Sequence, residues 1–302
     1  MTTTLGYYPG CSLKGSSSEY DHSVHAVANR LGIKLQEVPE WNCCGASSAH
    51  ALDPAAALCL ATDTLIKARE AGMQDILAPC AMCYQRLATA VHEISEKPAL
   101  ARKLEKAFDT KPDVHLEQMR PLNLIRWLET VPRENLESQV RRPLKGMKVA
   151  CYYGCMLVRP PKVVGEENCE APRSMEHIVQ SLGAETVRWS MATECCGAGM
   201  SLCHKQSVIR QVNHITEAAH KAGANVICVA CPLCQLNVDT RQGEGTPPMP
   251  VLFLSQMIAL AFDVAEPDIG LKGHFVSVEP LLATLARDAQ APSEEASAKC
   301  RA

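Results

Sequence analysis

The chain has 302 residues, with 30 basic and 33 acidic side chains, a net charge of -3, 47% hydrophobic residues and 21% charged residues. That composition supports one large or two ordinary globular domains, while the balanced charge and 4% aromatics give no basis for a nucleic-acid surface. The outlier is cysteine, with 16 copies.

Residues 1–10 read MTTTLGYYPG, without the basic start or apolar run of an export signal, and no stretch of 18 apolar residues follows. A cytoplasmic, reducing setting is expected, where many cysteines point to metal or redox chemistry rather than disulfides. A short buried strand is predicted at 5–8, then a helix at 20–31 closed by Gly32, then an alternating strand at 34–38 leading into Cys43-Cys44-Gly45. The next helix has Asp53 as N-cap, Pro54 in its first turn, an apolar stripe of Leu58, Ala61, Leu65 and Ala68, and Gly72 at its end. A strand at 75–78 runs into Cys80-x-x-Cys83, which opens a further helix. Residues 98–147 carry five prolines and helical patterns at 99–108 and 122–129, and read as a helical connector. The series then recurs: strand 148–153, helix 172–182 closed by Gly183, strand 185–189, and Cys195-Cys196-Gly197. It continues with a helix striped by Val208, Val212, Ile215 and Ala219, then strand 226–230 and Cys231-x-x-Cys234. The apolar segment 250–261 reads as a core helix, a docking face being the alternative. Residues 288–302 read as a loose tail.

The recurrence is an internal repeat. YYPGCSL matches CYYGCML, EWNCCGA matches ATECCGA, and GMQDILAPCAMC matches GANVICVACPLC, in the same order and offset by 144, 152 and 151 residues. The expected organisation is a first domain at 1–97, a connector at 98–147, a second domain at 148–287 and a tail at 288–302. Alternating strands and helices predict an α/β fold, each half a mostly parallel sheet with flanking helices. The motif cysteines then fall at the carboxyl ends of strands, where parallel sheets carry their sites.

Each half offers five thiols from three loops: Cys11, Cys43, Cys44, Cys80 and Cys83, then Cys155, Cys195, Cys196, Cys231 and Cys234. A C-x-x-C at a helix start turns two sulfurs toward one centre, where backbone N–H groups favour the thiolate. Adjacent cysteines need a turn to face one way, and Gly45 and Gly197 supply it. Soft ligands in this number select iron–sulfur or zinc, with a redox dithiol as the remaining reading. A fifth thiol means either a spare or an unusual cluster.

The doubled C-x(n)-CCG-x(n)-C-x-x-C pattern is that of the cysteine-rich CCG domain. With PGCS at 9–12, PVLFLSQMIALA at 250–261 and GLKGHFVSVEPLL at 270–282, the chain resembles the B component of heterodisulfide reductase and its sulfur-oxidising homologues. The resemblance implies one noncubane [4Fe-4S] cluster per half, held by the ten motif cysteines. It implies an oxidoreductase acting on sulfur groups, in which an S–S bond between the clusters is cleaved or formed with one electron from each. It also implies partners: a ferredoxin-like subunit (the C component), a flavin-bearing subunit (the A component), and a thiol or persulfide substrate carried in some homologues on a lipoyl-type protein. No G-x-G-x-x-G for a dinucleotide is present. Alternatives are an electron-transfer subunit of another complex (a lactate or glycolate oxidase, or a CCG-type succinate dehydrogenase) and a zinc-stabilised scaffold.

Among the remaining residues, His50 and His204 are the candidate proton donors nearest the motif loops, followed by His177, with an exposed loop position as the ordinary alternative. Lys14 and Arg159 follow the first cysteine of each half and could attract an anion, or be solvated. Tyr8 and Tyr152 occupy equivalent places beside the sites. Cys59, Cys151 and Cys228 read as small buried hydrophobes, Cys203 as a thiol near the second site, and Cys169 and Cys300 as incidental.

Overall fold

The computed structural model describes residues 3–46, 48–108, 115–243 and 247–283, so the tail expected at 288–302, with Cys300, lies outside the described residues. The first half runs β1 (Thr3–Tyr7), α1 (Gly10–Leu13), α2 (Ser18–Arg30), β2 (Ile33–Glu37), α3 (Ser48–Leu52), α4 (Pro54–Glu70), β3 (Asp75–Leu77) and α5 (Ala81–Glu96). It continues through α6 (Pro98–Phe108), β4 (Arg120–Leu122), α7 (Leu124–Glu129) and α8 (Arg133–Gln139). The second half runs β5 (Lys148–Tyr152), α9 (Pro161–Val164), α10 (Ser174–Ser181), β6 (Glu185–Thr186), α11 (Lys205–Lys221), β7 (Val226–Val229) and α12 (Pro232–Thr240). It ends with β8 (Val251–Phe253), α13 (Leu254–Ala261) and α14 (Glu266–Ile269).

Two four-stranded parallel sheets result, in the orders β2-β1-β3-β4 and β6-β5-β7-β8. The chain moves outward on one side of the first strand of each sheet and then on the other, leaving a switch point between β1 and β3 and between β5 and β7. The α/β expectation with parallel sheets and flanking helices therefore holds.

Local chemistry explains the elements. The Asp53 carboxylate accepts from the N–H groups of Ala55 and Ala56 at 2.9 and 3.2 Å, starting α4 where expected. Gly32, Gly72, Gly183 and Gly223 all have positive φ, ending α2, α4, α10 and α11 as predicted.

Three differences have local causes. β6 stops at Thr186 rather than 189, because Trp189 turns inward to donate its indole N–H to the Cys151 carbonyl at 3.0 Å. Within 98–147, residues Arg120–Leu122 form β4, pairing with Asp75–Leu77 and completing the first sheet, so the stretch is not helical throughout. Segment 250–261 is not one helix: its first residues form β8, and only then does α13 begin. A uniformly apolar run has no period to separate strand from helix. Every residue of α13 is buried, so this segment is core rather than a docking face.

The halves share one hydrophobic core. Tyr20 on α2 stacks on Phe253 at 4.0 Å between ring centroids, with planes 4° apart. The buried Ser23 and Ser255 hydroxyls meet at 2.7 Å beside them. The Tyr84 hydroxyl on α5 donates to the Val164 carbonyl at 3.1 Å. These ties set the mouth of one sheet against the mouth of the other.

Candidate functional site

In each half the cysteines come from the three loops at the strand ends. Cys11 lies in α1 just after β1, Cys43 and Cys44 follow β2, and Cys80 and Cys83 bracket the start of α5 after β3. Cys155, Cys195, Cys196, Cys231 and Cys234 repeat the arrangement after β5, β6 and β7. Gly45 and Gly197 take φ of 70° and 79°, the left-handed turn that CCG requires.

Gly10 and Gly154 have a second role. A Cβ on Gly10 would lie 2.9 Å from the Cys83 sulfur, and one on Gly154 would lie 3.1 Å from the Cys234 sulfur. Only a bare backbone lets the first loop approach the C-x-x-C so closely.

The thiols fall into a buried file and two surface pairs. Cys44, Cys83 and Cys80 are in successive hydrogen-bonding contact, as are Cys196, Cys234 and Cys231, with Cys196 and Cys234 at 3.7 Å. Cys80 also contacts Cys231, so the two files meet at the junction of the halves. All six are buried. Cys11 pairs with Cys43 and Cys155 with Cys195, all of them exposed or half-buried. As it stands, no group of three or more His, Cys, Asp or Glu among the described residues is arranged to hold a metal ion. The donor chemistry nonetheless suits a soft centre with several metal atoms, since five thiols per half, three in a buried file and two in a more open pair, exceed what one tetrahedral ion takes.

The electrostatics favour thiolate at chosen positions. The Cys83 thiol, with help from the Arg86 guanidinium, lowers Cys44 to about 7. The Cys155 thiol lowers Cys195 to about 6, and the Gly197 N–H points at its sulfur from 3.3 Å. Tyr8 and Tyr152 lie against four thiols of their own half. Burial, then that thiolate charge, pushes both phenols far up, so they remain donors. The Tyr8 hydroxyl donates to the Asn42 carbonyl and the Tyr152 hydroxyl to the Glu194 carbonyl, each at 2.6 Å, bracing the residue before each CCG.

His50 is exposed on α3, its Nδ1 2.9 Å from an Arg86 Nη. His204 is exposed at the start of α11, and His177 is exposed on α10. Lys14 pairs with Glu37 at 2.7 Å and Arg159 with Glu170 at 2.8 Å, so both cations are already matched by carboxylates. Cys151 and Cys228 are buried register partners on β5 and β7, Cys59 and Cys169 are half-buried, and Cys203 is exposed. Sequence reasoning overlooked Arg86, Gly10 and Gly154. Aligning the two repeats marks both glycines, each directly before a motif cysteine.

Fold and site together define a duplicated α/β protein with a five-thiol centre at the mouth of each parallel sheet. The pattern of the cysteine-rich (CCG) domain matches residues 5–88 and 149–239, and the chain belongs to that family. It is 31% identical over 287 residues to the 8-methylmenaquinol:fumarate reductase membrane anchor subunit of Wolinella succinogenes, covering 93% of this chain and 100% of that protein. It is 26% identical over 291 residues to the B component of the ferredoxin/F420H2-dependent CoB-CoM heterodisulfide reductase of Methanosarcina acetivorans, covering 93% and 96%. It is 27% identical over 295 residues to the B component of the ferredoxin:CoB-CoM heterodisulfide reductase of Methanosarcina mazei, also covering 93% and 96%. The fold is shared with a hypothetical protein from Helicobacter pylori at a TM-score of 0.70 and 14% identity, over 92% of this chain and 53% of that one. Among the described residues no helix is long and apolar enough to cross a membrane.

Proposed function

We propose that this chain is the iron–sulfur subunit of a multisubunit oxidoreductase, a heterodisulfide reductase-like enzyme acting on sulfur groups. Cys11, Cys43, Cys44, Cys80 and Cys83 hold one noncubane [4Fe-4S] cluster, and Cys155, Cys195, Cys196, Cys231 and Cys234 hold the other. The observation that supports this reading is the contact of Cys80 with Cys231, which sets the two thiol groups side by side across the junction. Such centres, when bound, supply single electrons, and an S–S bond takes two. The chain's own residues shape the place: Gly10 and Gly154 let the loops close on the sulfurs, and Tyr8 and Tyr152 brace the CCG turns. The more open pairs Cys11/Cys43 and Cys155/Cys195 leave a side open to substrate. Partners by this reading are a ferredoxin-like protein and a flavin-bearing protein, as the family resemblance implies. The two cysteine sets lie within 1–97 and 148–287, and the stretch between them adds β4 to the first sheet.

A second reading has a specific observation behind it. The 31% identity runs along the full length of the fumarate reductase membrane anchor protein, which favours a quinol-linked complex in which electrons cross the chain and no disulfide reacts.

The test is anaerobic purification with iron, acid-labile sulfide and zinc measured per chain, then assay of the complex with disulfides and with menaquinol analogues. About eight iron and eight sulfide with disulfide turnover support the first reading. The same content with quinol oxidation alone supports the second. Zinc without sulfide, persisting after reconstitution, overturns both in favour of a scaffold.

A further inference from the structure

The repeat allows the two centres to be compared position by position, and their charges differ. Three residues after the second cysteine of each C-x-x-C stands Arg86 in the first half and Asn237 in the second. One residue before each CCG stands Asn42 in the first half and Glu194 in the second. At both places the first half is one charge more positive.

The surroundings preserve that difference. Arg86 is half-buried on α5, one turn beyond Cys83 and within electrostatic reach of Cys44, and its guanidinium meets Gln85 Oε1 at 2.7 Å and His50 Nδ1 at 2.9 Å. Among the described residues no carboxylate forms an ion pair with it. Asn237 instead bonds the Cys196 carbonyl at 2.6 Å through Nδ2, while its Oδ1 meets Ser201 and Arg241. Arg241 thus meets the second site through Asn237, whereas Arg86 acts on Cys44 electrostatically. Glu194 is exposed and disfavours negative charge on its neighbour Cys195, while Arg159, the cation near it, is already ion-paired with Glu170 at 2.8 Å. Asn42 bonds Asp63, which is itself ion-paired with Lys67 at 2.7 Å. A cation beside a thiolate-rich centre stabilises the electron-rich state and an anion opposes it, most strongly where the charge is partly shielded from water.

We infer that Arg86, with Glu194 acting in the opposite sense across the junction, makes the two redox sites unequal, the first-half site being the better electron acceptor. With clusters bound, an electron on the second-half site would be favoured to move to the first-half site, the one oxidised as the other is reduced, with Cys231 and Cys80 at the junction between them. The inference rests on the proposal that the thiols hold iron–sulfur clusters.

The experiment is an anaerobic redox titration of the purified holoprotein followed by EPR, on wild type, R86N, R86K, N237R and E194N, with iron and sulfide counted for each. Wild type is expected to take up electrons in two separated one-electron steps. R86N lowers the easier step by about tenfold in its equilibrium constant, about 59 mV for one electron. R86K leaves that step in place, while N237R and E194N raise the harder one. Full cluster content with midpoints indifferent to Arg86 and to N237R overturns the inference. If R86N loses its cluster, N237R and E194N decide, and an unmoved lower step overturns the inference. Wild type without iron and sulfide overturns the underlying proposal itself, an outcome the metal counts keep separate.

Discussion

Replacing Gly10 by alanine isolates the close packing of backbone on sulfur. Gly10 has φ +65°, so an alanine there costs about 1–2 kcal/mol for the left-handed conformation alone. Its Cβ would also sit 2.9 Å from the Cys83 sulfur, well inside the ordinary contact distance of about 3.5–4.0 Å. Relieving that overlap displaces either the sulfur or the α1 loop, at about 1–3 kcal/mol more. Gly72 is the matched control: its φ is +76° and a Cβ there meets nothing within 4 Å. G72A is expected to lose only the conformational part. G10A is expected to lose about 2–5 kcal/mol in all and, on the proposed assignment of one cluster per half, about half the iron per chain. Urea unfolding and iron analysis of both variants check this. Equal stability and equal iron in G10A and G72A would refute the claim that the sulfur contact requires glycine.

Y8F and Y152F each remove a phenol donor and leave the Asn42 or Glu194 carbonyl without it, so each is expected to cost about 1 kcal/mol, read as a shifted urea midpoint at unchanged slope. D53A loses the cap of α4 and about 1 kcal/mol, and D53N retains most of it, on the same measurement. His274 lies between Gln235 at 3.1 Å and Gln256 at 3.0 Å, near Asp239, and burial holds its pKa below the usual 6.5. The unfolded chain therefore takes up a proton before the folded one, so this contribution is present above pH 6.5 and is lost as pH falls through the lower folded value. Thermal unfolding from pH 7.5 down to 5 should show the decline in wild type and less of it in H274Q.

The internal repeat, the ten motif cysteines and the strand-loop-helix rhythm were legible from residues alone, because each rests on local chemistry. Asp53 caps α4 through N–H groups two and three residues away, and Gly45 turns the chain within its own motif. The strands β4 and β8 were not legible: β4 begins in a proline-rich stretch and β8 in a uniformly apolar run, neither shows a period, and each is a strand because β3 or β7 lies beside it. The site divides the same way. Which thiols belong to each half follows from their spacing, but the meeting of Cys80 with Cys231 does not, since 151 positions separate them and only packing such as Tyr20 on Phe253 brings the halves face to face. Arg86 likewise looks like any helix-surface cation until the fold sets it beside Cys44, 42 positions earlier in the chain. Spacing and turn residues act over a few bonds and are written in the sequence, whereas the electrostatics of a site depend on through-space neighbours that only the tertiary structure selects.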